Sequence, residues 1–235
     1  MYLKVIANNK INMITLNINE LKGRIATNLS DQLLKDGFIY KKNMNEFKCT
    51  KGDYTYIFRL EIIAYSGKYF INVQLYISHK QIENILEKIV GKSRHKLTLG
   101  QDIDRIYSSP DGRKVNNNGN LGIWLYNDEE IGFTIELLHS YFNEIAIHYF
   151  AKYRTLEAID DIINNEPFSY CPAEVGGNFY ERCMKGLIVA KLIGNSNYEK
   201  LEKIYDREMI TTMNPEFIES YNKVKEYLIY NRIIL

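Results

Sequence analysis

His139 lies three residues after Glu136, and His148 lies four residues after Glu144. On a helix either spacing puts carboxylate and imidazole on one face. Glu-x-x-His is also the spacing with which helical bundles hold pairs of metal ions. A single site made from both pairs requires the two histidines to converge. At about 100° per residue, nine positions turn them half a turn apart, so one regular helix sends them to opposite sides. No second Glu-x-x-His occurs in the chain. Surface salt bridging or a hydrogen-bonded core histidine is therefore the expected role, and no tightly held zinc or iron is expected.

The other reactive side chains are dispersed. His79 and His95 belong to no His-Glu-x-x-His motif, and Cys49, Cys171 and Cys183 form no Cys-x-x-Cys pair. No four-ligand zinc set has recognisable spacing. Cys171 precedes a proline and Cys183 sits in an apolar stretch, so both read as small packing residues. A Cys–His nucleophile would need partners remote in sequence, and no local signature marks one. The run GRKVNNNGNLG lacks the spacing of a phosphate-binding loop. Gly176-Gly177 precedes a helix and could offer N–H groups to an anion, although a loop needing free dihedrals explains it as well. No catalytic, cofactor-binding or metal-binding residue is named on these grounds. The chain leans away from an enzyme, with a hydrolase built on an unrecognised site kept as an alternative.

The elements that would position any site are clearer. Asn17 and Glu20 have the spacing of a capping box, and Ile18, Leu21, Ile25, Leu29 and Leu33 follow as one apolar helix face. Gly37 and Phe38 supply a left-handed cap and the hydrophobic residue behind it. Strands follow around the turn Asn43-Met44-Asn45, then in YTYIFRLEIIAYS and YFINVQLYIS. Tyr54, Tyr56, Phe58, Leu60 and Ile62 share one face with Tyr69, Ile71, Val73, Leu75 and Ile77. Thr55, Arg59, Glu61, Asn72 and Gln74 share the other, the alternation of an antiparallel sheet wet on one side. The first helix is expected to cover the apolar face. KQIENILEKIV reads as a helix closed by Gly91, residues 91–120 as turn-rich loops around a short strand or helical turn, and LGIWLYN as one more strand. From residue 129 the pattern is helical, with a break near Tyr153, a loop from Pro167 to Gly177, and Asn214-Pro215 opening the last helix. The fold expected is α+β: an N-terminal helix on an antiparallel sheet, then a mostly helical C-terminal region.

Composition excludes several classes. The 235 residues are 46% hydrophobic and 25% charged, ordinary globular usage, which rules out a disordered or collagen-like chain. No stretch approaches the ~20 apolar residues of a membrane span. The odd cysteine count makes no disulfide framework. The start MYLKVIANNKINMITL lacks the apolar core of ~7–15 residues that a secretory signal needs, so a cytoplasmic location is expected. Translation from Met13 is an alternative to Met1 that the sequence leaves open.

The net charge of +1 conceals an asymmetry. Residues 1–100 carry 16 Lys/Arg and 8 Asp/Glu, whereas residues 121–235 carry 11 and 18. The division expected is a basic α+β region at 1–120 and an acidic helical region at 121–235, either as two units or as one continuous domain whose halves complement each other. The acidic set Glu199, Glu202, Asp206 and Glu208, opposite the apolar stripe of Leu201, Ile204 and Tyr205, is the candidate partner-binding surface. The basic half, with Lys41, Lys42, Lys48, Lys51, Lys92, Arg94 and Lys96, carries the alternative of nucleic-acid association. Tyr65 and Tyr76 are the tyrosines best placed for exposure there.

The segment QLLKDGFIYKKNMNEFKC, with Gly37, Phe38, Lys41, Lys42 and Phe47, resembles a group of bacterial domains of unknown function. Some of these are similar to immunity proteins of toxin systems. The resemblance covers residues 20–80 and implies binding rather than catalysis. The function expected is thus a non-enzymatic protein-binding module, in its specific form an immunity-type inhibitor. It implies no cofactor and leaves oligomeric state open.

Overall fold

The computed structural model describes residues 14–91, 96–107, 121–164, 175, 179–211 and 214–230. Helix α1 (Ile18–Leu33) opens with the capping box: the Asn17 side chain accepts the Asn19 and Glu20 N–H groups at 2.9 and 3.1 Å, and the Glu20 carboxylate accepts the Asn17 N–H at 2.9 Å. A short 3-10 turn follows, and Gly37 at φ 85° ends it in the left-handed conformation that costs a glycine least. Phe38 then turns back onto the core.

Strands β1 (Ile39–Lys41), β2 (Glu46–Lys51), β3 (Tyr54–Tyr65) and β4 (Lys68–His79) run as consecutive antiparallel hairpins. The second edge of β4 is shared end to end. Strand β5 (Leu99–Asp102) pairs with Gln74–Ile77, and β6 (Ile123–Leu125) pairs with Tyr69–Ile71. The sheet is entirely antiparallel, and the fold is α+β with an N-terminal helix and a helical C-terminal region.

The apolar face holds the residues expected of it, with Phe47, Phe58, Leu60, Val73 and Leu75 almost wholly buried. Helix α1 covers it only in part. Helix α4 (Ile131–Tyr141), a π-helical segment (Phe142–Ala146) and α5 (Ile147–Lys152) form one continuous run across the same face. Phe142 meets Phe38 and Phe58 edge-on at 5.0 and 5.5 Å, and Phe150 packs on Tyr56 at 5.3 Å.

The remaining helices are α2 (Lys80–Val90), α3 (Ile103–Ile106), α6 (Leu156–Asn164), α7 (Phe179–Leu192), α8 (Tyr198–Thr211) and α9 (Pro215–Tyr230). The break at Tyr153 and the cap at Asn214 lie where the sequence puts them; Asn214 accepts the Glu216 N–H at 3.1 Å. Helix α7 is buried nearly all round, among α2, α6, α8 and α9. Such a position demands apolar residues on every side, yet it includes Arg182 and Lys185. Arg182 forks onto the Ile163 carbonyl at 3.0 and 2.9 Å, placing a cation at the C-terminal end of α6 where the helix dipole is negative. A polar knot joins α6, α7 and α8. Asn164 donates to Asp160 at 2.6 Å and to the Gly186 carbonyl at 3.0 Å, and accepts the Tyr205 hydroxyl at 2.6 Å.

The change of charge sign along the chain is not mirrored by a gap in the packing. Strand β6, from the acidic half, completes the sheet of the basic half, and one apolar cluster runs from Leu21 to Leu228. Among the described residues no helix is long and apolar enough to cross a membrane.

Candidate functional site

Strand alternation sends every second residue of the sheet to the face away from the helices. Cross-strand register arranges these residues in rows. One row is Lys41–Glu46–Arg59–Gln74–Asp102, and the next toward the β3–β4 turn is Glu61–Asn72. Beyond these, about 7 Å per row, come Ile63–Phe70–Trp124 and then Tyr65 and Lys68. On the other side lies Ile39–Lys48–Ile57–Tyr76–Gly100. Polar groups were expected on this face; Ile57, Ile63, Phe70 and Trp124 were not singled out. Their signal was available as apolar residues at polar positions of the alternation.

The face has three electrostatic parts. Glu46 is fully buried, and Arg59 donates to one of its carboxylate oxygens through Nε and Nη2 at 2.9 and 2.8 Å while Lys48 stands 2.8 Å from the other. Arg59 also lies 5.0 Å from the Tyr76 ring centroid, so this charge is consumed within the sheet. The middle part is acidic. The Asp102 carboxylate accepts the Asn72 and Gln74 side-chain amides at 2.9 and 3.0 Å, and Glu61 accepts the same two at 3.3 and 3.4 Å. Among the described residues neither carboxylate has an ion-pair partner. The third part is aromatic. Trp124 packs on Phe70 and Tyr65 at 4.9 and 5.1 Å and stacks toward Tyr126 at 6.4 Å. The Lys68 ammonium sits 4.3 Å from the Trp124 ring centroid and 5.3 Å from that of Tyr126. Tyr65 and Tyr126 are 49% and 46% exposed, so the cluster is an open corner rather than core.

The acidic set on α8 is divided. Glu199 is exposed and Glu208 half-buried. Glu202 and Asp206 are half-buried and ion-paired. Lys225 of α9 lies 2.6 Å from Asp206 and 3.4 Å from Glu202, and the Tyr221 hydroxyl donates to Asp206 at 3.0 Å. The wheel of α8 identified the face correctly but could not reveal the helix beside it. Burial and Asp206 push the Tyr221 hydroxyl far above its usual range, and burial lowers Lys225 while Asp206 and Glu202 more than reverse that.

The histidine pairs do not pair. His139 Nε2 contacts the Asn143 amide at 3.0 Å, and Glu144 accepts the Ser140 hydroxyl at 2.9 Å. The opposed directions expected for His139 and His148 assumed a regular helix. The π segment between them inserts about one residue into the turn, a shift of about 100°, so they are nearer a quarter turn apart. Among the described residues no cluster of three or more His, Cys, Asp or Glu could hold a metal ion.

Cys49 and Cys183 are buried and form no disulfide among the described residues. Cys171, His95, Lys92, Arg94 and Gly176-Gly177 lie outside the described residues. Lys41, Lys42 and Lys51 are exposed around β1 and β2, and Lys96 pairs with Glu87 at 2.5 Å. His79 is buried at the start of α2, edge-on to Tyr54 at 4.6 Å, and its Nδ1 has no hydrogen-bond partner among the described residues. Burial holds its pKa below the ordinary value, with Asp53 opposing. Nearby, Glu83 accepts the Thr98 hydroxyl at 2.7 Å, and its carboxyl is pushed up by burial against the opposing pull of Lys185. Both groups are buried, His79 at the strand end against Tyr54 and Glu83 on α2. The open sheet face is the surface on which varied chemistry meets solvent.

No protein-family model, no curated protein and no solved structure matches this chain.

Proposed function

We propose that the chain is a non-enzymatic protein-binding module whose partner docks on the open face of the sheet. The observation carrying this reading is the corner in which exposed Tyr65 and Tyr126 flank half-buried Phe70 and Trp124, beside paired polar groups. Large aromatic side chains ringed by polar groups are the usual anchors of protein interfaces. The neighbouring charges Glu46, Arg59 and Lys48 are already satisfied, so docking there displaces few ion–water contacts. In the specific form of an immunity-type inhibitor, the partner is a toxin encoded beside this gene. The contact surface is then the sheet rather than α8, because Lys225 occupies Glu202 and Asp206.

The second reading is nucleic-acid association, favoured by Lys68 among the aromatic rings and by Lys41, Lys42 and Lys51 at the sheet margin. Glu61 and Asp102 oppose it, since a phosphate chain crossing the face would meet both carboxylates.

The test is co-expression with the product of the adjacent gene and size-exclusion of the complex. Combined Trp124→Ala and Tyr65→Ser should abolish co-elution, whereas Glu199→Lys with Glu208→Lys should leave it intact. A gel shift with single-stranded oligonucleotide at low salt, lost on Lys41→Ala and Lys68→Ala, would favour the second reading.

A further inference from the structure

Resting on the docking reading above, we infer that the strip of sheet from Trp124, Tyr126 and Tyr65 to Glu61 and Asp102 receives successive cationic side chains, arginine or lysine, of an extended partner polypeptide. Two independent features attract cations to neighbouring rows of the same face. The faces of Trp124 and Tyr126 already hold one, the Lys68 ammonium at 4.3 and 5.3 Å from the ring centroids. An aromatic face attracts a cation through its quadrupole, and Trp does so best. One and two rows away stand Glu61 and Asp102, carboxylates whose only side-chain partners among the described residues are the amides of Asn72 and Gln74. Amides satisfy hydrogen bonds without neutralising charge, so two negative charges remain on the face.

Lys68 is the self-occupant of the aromatic seat. It is the first residue of β4, beside the β3–β4 turn, and is half-buried. An incoming guanidinium can stack on Trp124 in its place, while a second cation two residues along an extended peptide falls about one row further, toward Glu61 and Asp102. Charge complementarity also separates this partner from a nucleic acid. A polyanion would keep Lys68 as an ally and be repelled by Glu61 and Asp102; a basic peptide meets the reverse.

Trp124 is the single tryptophan of the chain, so its fluorescence reports on the corner directly. The experiment titrates the full-length protein at low salt with three probes: the blocked peptide Gly-Arg-Phe-Arg-Gly, its counterpart Gly-Glu-Phe-Glu-Gly, and a ten-nucleotide oligothymidylate. The expected result is saturable binding of the arginine peptide alone. Combined Glu61→Gln and Asp102→Asn should weaken it roughly threefold to tenfold, the span of two exposed ion pairs. Lys68→Met should tighten it about twofold to fivefold by vacating the seat. Lys68 thus moves the two partner classes in opposite directions. Equal binding of both peptides, preference for the oligonucleotide, weakening on Lys68→Met, or no response to any probe would each overturn the cation assignment. The docking reading is judged separately: it fails if the adjacent-gene product still co-elutes with the Trp124→Ala, Tyr65→Ser protein.

Discussion

Replacing Gly186 by alanine and Gly23 by alanine should change stability in opposite directions, although both residues lie inside helices. At Gly23, in the exposed interior of α1, an added Cβ meets nothing within 4 Å. Alanine there gains only its helix preference over glycine, about 1 kcal/mol. At Gly186 the same carbon would stand 2.5 Å from Asn164 Oδ1, 2.8 Å from the Tyr205 hydroxyl and 3.1 Å from Tyr205 Cε2. Asn164 cannot step aside freely, because its amide is held by Asp160 and by the Gly186 carbonyl. Overpacking costs about 1–3 kcal/mol. Parting the buried Tyr205–Asn164 hydrogen bond costs about 1–3 kcal/mol more. Subtracting the gain of about 1 kcal/mol leaves a destabilisation near 3 kcal/mol. For a chain of this size that lowers Tm by roughly 6–12 °C, while Gly23→Ala raises it by roughly 2–4 °C. Thermal melts followed by circular dichroism measure both. A Gly186→Ala protein that melts at or above the parent would refute the reasoning, because the close approach of α6, α7 and α8 would then not be tight.

Arg59→Met should leave the buried Glu46 carboxylate with Lys48 alone and destabilise by about 3 kcal/mol, read as a lower urea midpoint with an unchanged slope. A change under 0.5 kcal/mol would mean that Lys48 suffices. The pH dependence follows from His79, whose folded pKa lies below the ordinary 6.5 because of burial. Below that value the unfolded chain takes up a proton that the folded protein resists, so stability should fall as pH drops through about 6.5. His79→Gln should flatten this part of the urea-stability profile between pH 7 and 5; parallel profiles would remove His79 as the cause. Lys225→Met should destabilise through Asp206 and the Tyr221 hydroxyl bonded to it, by about 1–2 kcal/mol in urea melts. Equal stability of parent and variant would show that the α8–α9 pairing contributes nothing.

Local chemistry made much of this fold legible. Asn17 with Glu20, Gly37, the alternation of β3 and β4, and Asn214 before Pro215 each specify their own conformation within a few residues. What escaped is non-local. Strand β6 is three residues long, and Ile123 pairs with Ile71 far back in the chain, so nothing near it announces its neighbour. The π segment at Phe142–Ala146 is hidden because its apolar spacing also suits a regular helix, and it altered the angle between His139 and His148. For the candidate site, the pleat assigned Arg59, Glu61, Asn72 and Gln74 to one face without difficulty. Trp124 and Asp102 joined that face through strands the alternation could not place. The pairing of the α8 acids with Lys225 was hidden for the same reason, since helix periodicity fixes a direction but not the residue across the interface.

The shared edge of β4 also bears on how the chain is made. Strands β1 to β4 can zip together as they emerge, each beside its predecessor. β4 then waits with twelve residues of strand and one bare row of backbone donors and acceptors. Its last residue is His79, and the last residue of β6 is Leu125, 46 positions later. At about 5–20 residues per second, synthesis of that stretch takes roughly 2–9 s. Throughout that interval the Tyr69–Ile71 end of the β4 edge, which only β6 covers, is an adhesive template for any other strand. Ribosome-bound chains stalled after β4 should therefore recruit chaperones more strongly than chains stalled after β6.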